Sequence, residues 1–573
     1  MKLYIFLLTF IISGIAWAQI QQGQTTVNRE EDFTQESVTV ERNYEPKVEA
    51  AEKIKQTPKI DPTTGNKLSV DYSLKDVEAE SDFETTTIGA EELPVKDQSP
   101  YNNYIRAGYG NRATLLIDGF GEYALDQDKS VGAAIDYRST NGYIKEMDFS
   151  TNNSKLAAEG FFKMNFENAL ADIRLGGGMH KLNYYGIPEN QTFSAPADVA
   201  QRYSNLYVNG KYKAYNHLFL DEIKLNAGFF GDIHDATETN FDVFARVGNN
   251  KVLELNTFND LALGISADLN LNVTNSKFKL PFSHDFSLLN TGIAPQIHFQ
   301  NEILKVSAGA NLQYNNESTL DISEFHIFPK AEVFVTAVPE FGFYGGITGG
   351  ILQNRYQSFY HKNPYLLPNQ HLTSTINKME VYAGIRGDIG ANFKYDASAK
   401  YQNLDNIPFM SRYYGFGEPY MSANSFYMVY DNGKKSVIEG NINYLGISNL
   451  NLGANLLLQT FTLDNFEEAW GESPLKATIS GDYKLLDERL ILGTDVFYVD
   501  KRKFLENRIH VNGQNEILNV DPYVDVNFNA TYLILDRWAA FIELNNVLNK
   551  NYERFVDYPV HGITAVGGIM FKF

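Results

Sequence analysis

A two-residue alternation, sustained for about ten residues at a time, restricts the fold of this chain more than any other feature. From Asn449 to Gln459, Leu450, Leu452, Ala454, Leu456 and Leu458 fall on one face. Asn449, Asn451, Gly453, Asn455 and Gln459 fall on the other, with Leu457 the exception. Asn392 to Gln402 sets Phe393, Tyr395, Ala397, Ala399 and Tyr401 against Lys394, Asp396, Ser398, Lys400 and Gln402. Val524, Val526, Phe528, Ala530 and Tyr532 oppose Asp525, Asn527, Asn529 and Thr531. Strand side chains point alternately to opposite faces, so each segment has one apolar and one polar side. Soluble sandwiches alternate too, but their strands run about 5–6 residues. A tilted strand needs about 9–11 residues to cross a bilayer. The length therefore selects an all-β fold, a transmembrane antiparallel barrel.

Composition agrees. The chain holds 35 Tyr, 39 Phe and 3 Trp, yet its mean hydropathy is −0.30. Aromatic girdles around a polar lumen produce that combination. No stretch of the mature chain is apolar and uncharged for the ~18 residues a spanning helix needs. The formal charge of −21 becomes −22 once Lys2 is removed, which argues against nucleic acid as a partner. There is no Cys, which excludes disulfides and thiolate chemistry.

The connections alternate in length. Counting back from the C-terminus, short links fall at Leu535–Arg537, Leu485–Asp487, Gly446–Ser448, Ile389–Gly390, Ala337–Val338 and Asn301–Glu302. Long links fall at Asn549–Val560, Lys501–Val520, Phe461–Glu472, Asn403–Lys434, Asn354–Asn377 and Asn315–Ile322. Short periplasmic turns and longer outer loops mark a bacterial outer-membrane barrel. Strands are expected to begin near residues 102, 112, 130, 155, 170, 202, 222, 238, 259, 291, 303, 326, 339, 378, 391, 435, 449, 474, 488, 521, 538 and 564. That makes about 22 strands, with 20 as the lower bound, and places both termini in the periplasm.

Three regions follow. Residues 1–18 read as a secretory signal: Met1-Lys2, an apolar run from Leu3 to Ile12, then Ala16-Trp17-Ala18 before a cut between Ala18 and Gln19. Residues 19–100 are acidic and Pro-containing, and can bury little surface alone, so they are expected to be an extended or disordered periplasmic or lumenal segment. Residues 101–573 form the barrel.

The final strand, Ala565 to Phe573, puts Gly567, Ile569, Phe571 and Phe573 on the lipid face and Gly568, Met570 and Lys572 inside. Its terminal aromatics, Phe571 and Phe573, look like the signal read by the barrel-assembly machinery. Phe541-Ile-Glu-Leu-Asn-Asn-Val-Leu-Asn-Lys-Asn-Tyr552-Glu, then Tyr558-Pro-Val-His-Gly562, resembles the penultimate strand and closing approach of TonB-dependent outer-membrane receptors of the Bacteroidetes type. Asn363-Pro-Tyr-Leu-Leu-Pro368 resembles a loop of the same family, with Asn369 where Glu is usual. The resemblance implies that family's C-terminal barrel. It does not extend to a plug domain: residues 19–100 number only 82 and carry no plug-like motif. The short run Glu36-Ser-Val-Thr-Val40 is a faint candidate for an energy-coupling box.

The ten His residues form no ligand pattern, so no metal or other cofactor is expected, and no Ser/His/Asp set can be assigned as an enzyme site. Recognition belongs on the outer loops. Tyr360 and Tyr365 in one loop and Arg412, Tyr413, Tyr414 and Phe416 in another could stack on a sugar or flat ligand, or could simply pack the loops. Arg386, Lys394, Asp396, Lys400, Glu439 and Asp525 are expected to line the lumen. Two functions compete. One is a receptor-like barrel that binds or moves a solute of unspecified identity. The other is a non-transporting subunit of an envelope complex, with residues 19–100 docking a periplasmic or outer-membrane partner. Outer-membrane lipid surrounds the barrel in either case.

Overall fold

The computed structural model describes residues 103–573 apart from 145–146, 188–198, 216–218, 256–260, 281–282, 339, 391, 415–423, 448 and 509–513. The signal site at Ala18 and Gln19, the 19–100 segment and Phe416 lie outside the described residues.

The described chain closes into a barrel of 22 antiparallel strands, from Tyr104–Gly110 to Thr564–Lys572. Each strand pairs with the next in sequence, and closure comes from the first pairing the last, Tyr104 opposite Lys572 and Gly110 opposite Val566. All 22 expected strands are present. The pair expected between Glu222 and Gly248 forms as Leu220–Asp232 and Thr237–Leu255. No helix is long and apolar enough to cross a membrane.

The alternation does its work along each wall. Ile105 and Tyr109 are 49% and 66% exposed, while Arg106 between them turns inward to Asp118 and Glu543. Ile569 and Phe573 face out, Met570 and Lys572 in. Phe571 leans on Trp538 and Phe573, at 4.8 and 6.0 Å between ring centres. The apolar side thus lies on the outside of the barrel, and the polar side exchanges hydrogen bonds within the lumen.

The closing seam is narrow. Gly108 and Gly568 face each other across it, and the Phe541 ring lies over both. A Cβ on Gly108 would come within 2.8 Å of the Phe541 ring, and one on Gly568 within 2.1 Å of the Ala107 carbonyl. The side-chain-free pair lets the ring bury against Leu116 and Val566. Just beyond it, Asn546 is 3% exposed with φ of 50°, and its amide nitrogen donates to the carbonyls of Lys550 and His561 at 2.6 and 2.7 Å. That clamp folds the last long loop back on itself, and Asn suits it because it tolerates the left-handed backbone while its side chain bonds nearby carbonyls.

Two expected links are corrected. Asn315–Ile322 is a tight hairpin turn, because strands Leu304–Glu317 and Ile322–Val338 run to its edges. Asn403–Lys434 is mostly strand: Phe393–Tyr413 and Ser425–Ile447 are 21 and 23 residues long. Both exceed the ~9–11 residues that span a bilayer, so the hairpin stands well clear of it. The alternation is lost there because a bulge between Leu404 and Ile407, with Asn406 at φ of 57°, shifts the pairing register.

Candidate functional site

At the long-loop end the barrel mouth is filled by its own chain. The link between strands Phe341–Leu352 and Thr375–Ile389 turns inward, forms the helix Tyr356–Lys362, and continues through Asn363–Ser374. The sequence explains the turn. The helix has no side-chain cap of its own, since its N-cap is Arg355. Glu238, 1% exposed on the opposite hairpin, supplies one instead: its carboxylate accepts the Tyr356 and Gln357 amides at 2.6 and 3.1 Å. A carboxylate there satisfies orphan amides and complements the helix dipole. The Ser276 hydroxyl, donating at 2.9 Å, and the Arg355–Asp242 ion pair hold the same corner.

After the helix, Asn363 ends the turn by accepting the Tyr365 amide at 2.9 Å. The Asn-Pro-Tyr-Leu-Leu-Pro run then crosses between walls. On one side Tyr203 donates to the Pro364 carbonyl at 2.8 Å and Tyr184 to the Leu366 carbonyl at 2.6 Å. On the other, the Leu367 amide donates to the Phe426 carbonyl at 2.7 Å and the Phe426 amide to the Tyr365 carbonyl at 2.9 Å. The Gln370 side chain repeats the link, accepting the Met428 amide at 3.0 Å. The crossing segment is thereby tied to strands Ala200–Ala214 and Ser425–Ile447 at once.

Around it is a core of the kind found in soluble proteins. Tyr203, Phe230, Phe278 and Phe286 contribute from one wall, Met410, Phe426 and Met428 from another, and Phe504, Phe555 and Tyr558 from neighbouring loops. Tyr365 stacks on Tyr558 at 3.7 Å between centres, and Phe230 meets Tyr356 edge-on at 5.3 Å. Burial holds the Tyr184, Tyr356, Tyr365 and Tyr558 phenols well above their usual range, so the cluster stays uncharged.

The last long loop carries two titratable groups beside this core. Burial and the charge of Asp557 push Glu553 up to about 7. Burial pulls His561 down to about 4, and its Nε2 is 2.8 Å from the Thr151 hydroxyl.

Of the loop residues singled out from sequence, Tyr360 and Tyr365 belong to this core, Arg412, Tyr413 and Tyr414 make other contacts, and Phe416 lies outside the described residues. Tyr365 is 2% exposed within the core, and Tyr360 is partly buried with its hydroxyl 2.8 Å from His180 Nδ1. Arg412 is 2% exposed, 3.3 Å from Glu506 and 2.6 Å from Asp557. Tyr413 lies edge-on to Tyr427, and Tyr414 lies under the Arg508 guanidinium at 4.7 Å. In this closed arrangement Tyr365 and Arg412 are spent on packing and ion pairing.

The lumen residues sit on inward faces. Lys400 pairs with Glu439 at 3.0 Å and Lys394 with Asp388 at 3.7 Å. Arg386 lies 4.4 Å over the Phe334 ring, and Asp396 accepts the Tyr344 hydroxyl at 2.7 Å. These form one patch; Asp525 stands apart near the mouth, accepting the Tyr552 hydroxyl at 3.0 Å. Missing from the sequence reading were Tyr184, Tyr203, Glu238, Gln370 and Tyr558. Adjacent aromatics at strand ends, such as Tyr184-Tyr185, were the available signal. Among the described residues no group of His, Asp and Glu is placed to hold a metal.

No family model matches the sequence, and no curated protein matches it. Solved structures do. The FrpB iron transporter from Neisseria meningitidis superimposes with a TM-score of 0.61 at 12% identity, over 82% of this chain and 81% of that one. The pyoverdine outer membrane receptor FpvA from Pseudomonas aeruginosa gives 0.58 at 11% identity, over 84% and 79%. The siderophore receptor PiuA from Acinetobacter baumannii gives 0.55 at 10% identity, over 84% and 82%. The chain therefore has the 22-stranded barrel fold of TonB-dependent outer-membrane receptors, and no plug domain is present among its described residues.

Proposed function

We propose that this protein is a receptor-type outer-membrane barrel that admits a solute through a mouth gated by its own residues 354–374. The observation that carries the proposal is the crossing segment, which is hydrogen-bonded to two separate walls and seals the mouth with an aromatic core. A barrel this wide breaches the membrane unless something fills it. In this reading the long-loop end faces outward, residues 1–18 are removed, and 19–100 and both termini lie on the periplasmic side. Opening would expose Tyr360, Tyr365, Arg412, Tyr413, Tyr414 and Phe416 to an arriving ligand, while Arg386, Lys394, Asp396, Lys400, Glu439 and Asp525 would line its path. Iron chelates are the first ligands to screen, since the structural neighbours include an iron transporter, a pyoverdine receptor and a siderophore receptor.

The chain has no Cys, so an introduced pair reports cleanly. Leu366 and Phe426 are bridge partners, a separation suited to a disulfide. In planar bilayers, Leu366→Cys/Phe426→Cys should conduct when reduced and close when oxidised. Deleting 354–374 should leave a channel that reductant does not affect. Equal conductance in all these states, with residues 19–100 also removed, would refute gating by this segment.

A further inference from the structure

We infer that the outer wall of the barrel carries a binding site for the phosphate group of an anionic membrane lipid, built on Lys181 and Arg202. The two residues are register partners on adjacent strands, and both are exposed. Neighbours on each strand fix their direction. Lys181 shares its face with Met179 and Arg202 with Leu206, which are 37% and 56% exposed on the lipid side, whereas His180 and Tyr203 turn inward and are buried. The cations therefore point away from the lumen, immediately beyond the apolar band on the long-loop side.

Like charges directly opposed across two strands repel and weaken the pairing. Among the described residues neither Lys181 nor Arg202 has an ion-pair partner. Together they line a cleft of about 310 Å³, whose remaining wall includes Asn141, Asn152, Ser154 and Ile233 and no described carboxylate. An anion between them would cancel the repulsion and accept from both cations, with neighbouring amides and a hydroxyl as further donors. Position selects the kind of anion. Leu156, Met179 and Leu206 give acyl chains an apolar surface directly below, and long cationic side chains at such a boundary reach the head-group level. A lipid phosphate satisfies both halves of the surface; a free phosphate uses only the upper half.

Native mass spectrometry of the full chain in zwitterionic detergent tests this, with phosphatidylglycerol, phosphatidylcholine and inorganic phosphate as separate titrants. Phosphatidylglycerol should bind about tenfold more tightly than phosphatidylcholine, which offers the same phosphate but brings its choline cation close to Lys181 and Arg202. Lys181→Gln/Arg202→Gln should abolish that preference. Lys181→Glu offers Arg202 a partner across the strands; it should fold as well as the parent and also lose the preference, which separates lipid binding from wall stability. Equal binding of both lipids, a preference unchanged in the variants, or full displacement by inorganic phosphate would overturn the assignment.

Discussion

Along the walls, apolar side chains point away from the barrel axis and charged ones toward it; at the mouth, aromatic side chains turn inward and meet. The two regions share the same strands. Ala200–Ala214 presents Leu206 to the outside lower down and Tyr203 to the mouth core near its end. The wall is organised by the two-residue period, and inward charges such as Lys394, Lys400 and Glu439 remain partly exposed. The mouth is organised by three-dimensional packing, as in a soluble domain, with its hydrogen bonds buried among aromatic rings. Perturbations should therefore be tolerated in one region and propagate in the other.

The largest contrast should come from truncating the mouth core. Phe426 is fully buried and contacts Phe504, Phe555 and Tyr558 at 5.6–6.2 Å between ring centres. Phe426→Ala should cost about 3–5 kcal/mol of mouth stability. Hydrogen exchange should then speed up across 354–374 and leave the strands Lys129–Thr140 and Asn153–Phe166 unchanged; uniform acceleration would mean that mouth and wall are one cooperative unit.

Next is a wall site that behaves like a core. Glu543 is 6% exposed and pairs with Arg106 at 2.7 Å and Arg138 at 2.9 Å. Glu543→Gln leaves two inward cations undercompensated and should cost about 3 kcal/mol. The readout is a lower unfolding temperature of the whole barrel. A change confined to the mouth would contradict the assignment of Glu543 to the wall.

The rim should show opposed pH dependences. Glu553, raised to about 7, keeps its proton in the folded loop after the unfolded chain has lost it, so its contribution falls from pH ~4.5 to ~7. His561, lowered to about 4, stays neutral when the unfolded chain protonates, so its contribution falls as pH drops from ~6.5 to ~4. In the parent the two slopes nearly cancel between pH ~4.5 and ~6.5. Proteolysis of the 546–563 loop should become easier at acid pH in Glu553→Gln and easier toward neutral pH in His561→Gln. Parallel profiles in the two variants would show that the groups do not report on one opening.

The smallest effect belongs to the hydrated lumen. The Lys400 and Glu439 side chains are 34% and 29% exposed, so Lys400→Gln should change stability by less than about 1 kcal/mol. Its trace should instead be a change in ion selectivity of the opened channel.

These contrasts also set what could be read from sequence. Strand positions were legible because lipid imposes a binary choice on every second residue, as Asn449–Gln459 shows, and the closing strand was legible for the same reason. The mouth was not. Tyr203 meets Tyr356, and Tyr184 meets Leu366, across more than a hundred positions of chain, and no local period records that. Glu238 caps a helix 118 residues further on, which no capping rule applied along the chain can find. Phe393–Tyr413 read as a loop beyond Asn403 because the bulge at Leu404–Ile407 resets which side each residue faces.

The glycine seam has a consequence for the order of assembly. Tyr104 and Lys572 belong to the first and last strands, so the pairing that holds Gly108 against Gly568 has nearly the greatest sequence separation the described chain allows. Its closure entropy is recovered only when all the intervening hairpins are in register. Until then both edge strands present unpaired backbone groups, a state that hydrocarbon penalises heavily. A side chain larger than hydrogen at Gly108 or Gly568 would hinder this last step, leaving the hairpins formed and the sheet an open ribbon exposed to pairing with other chains.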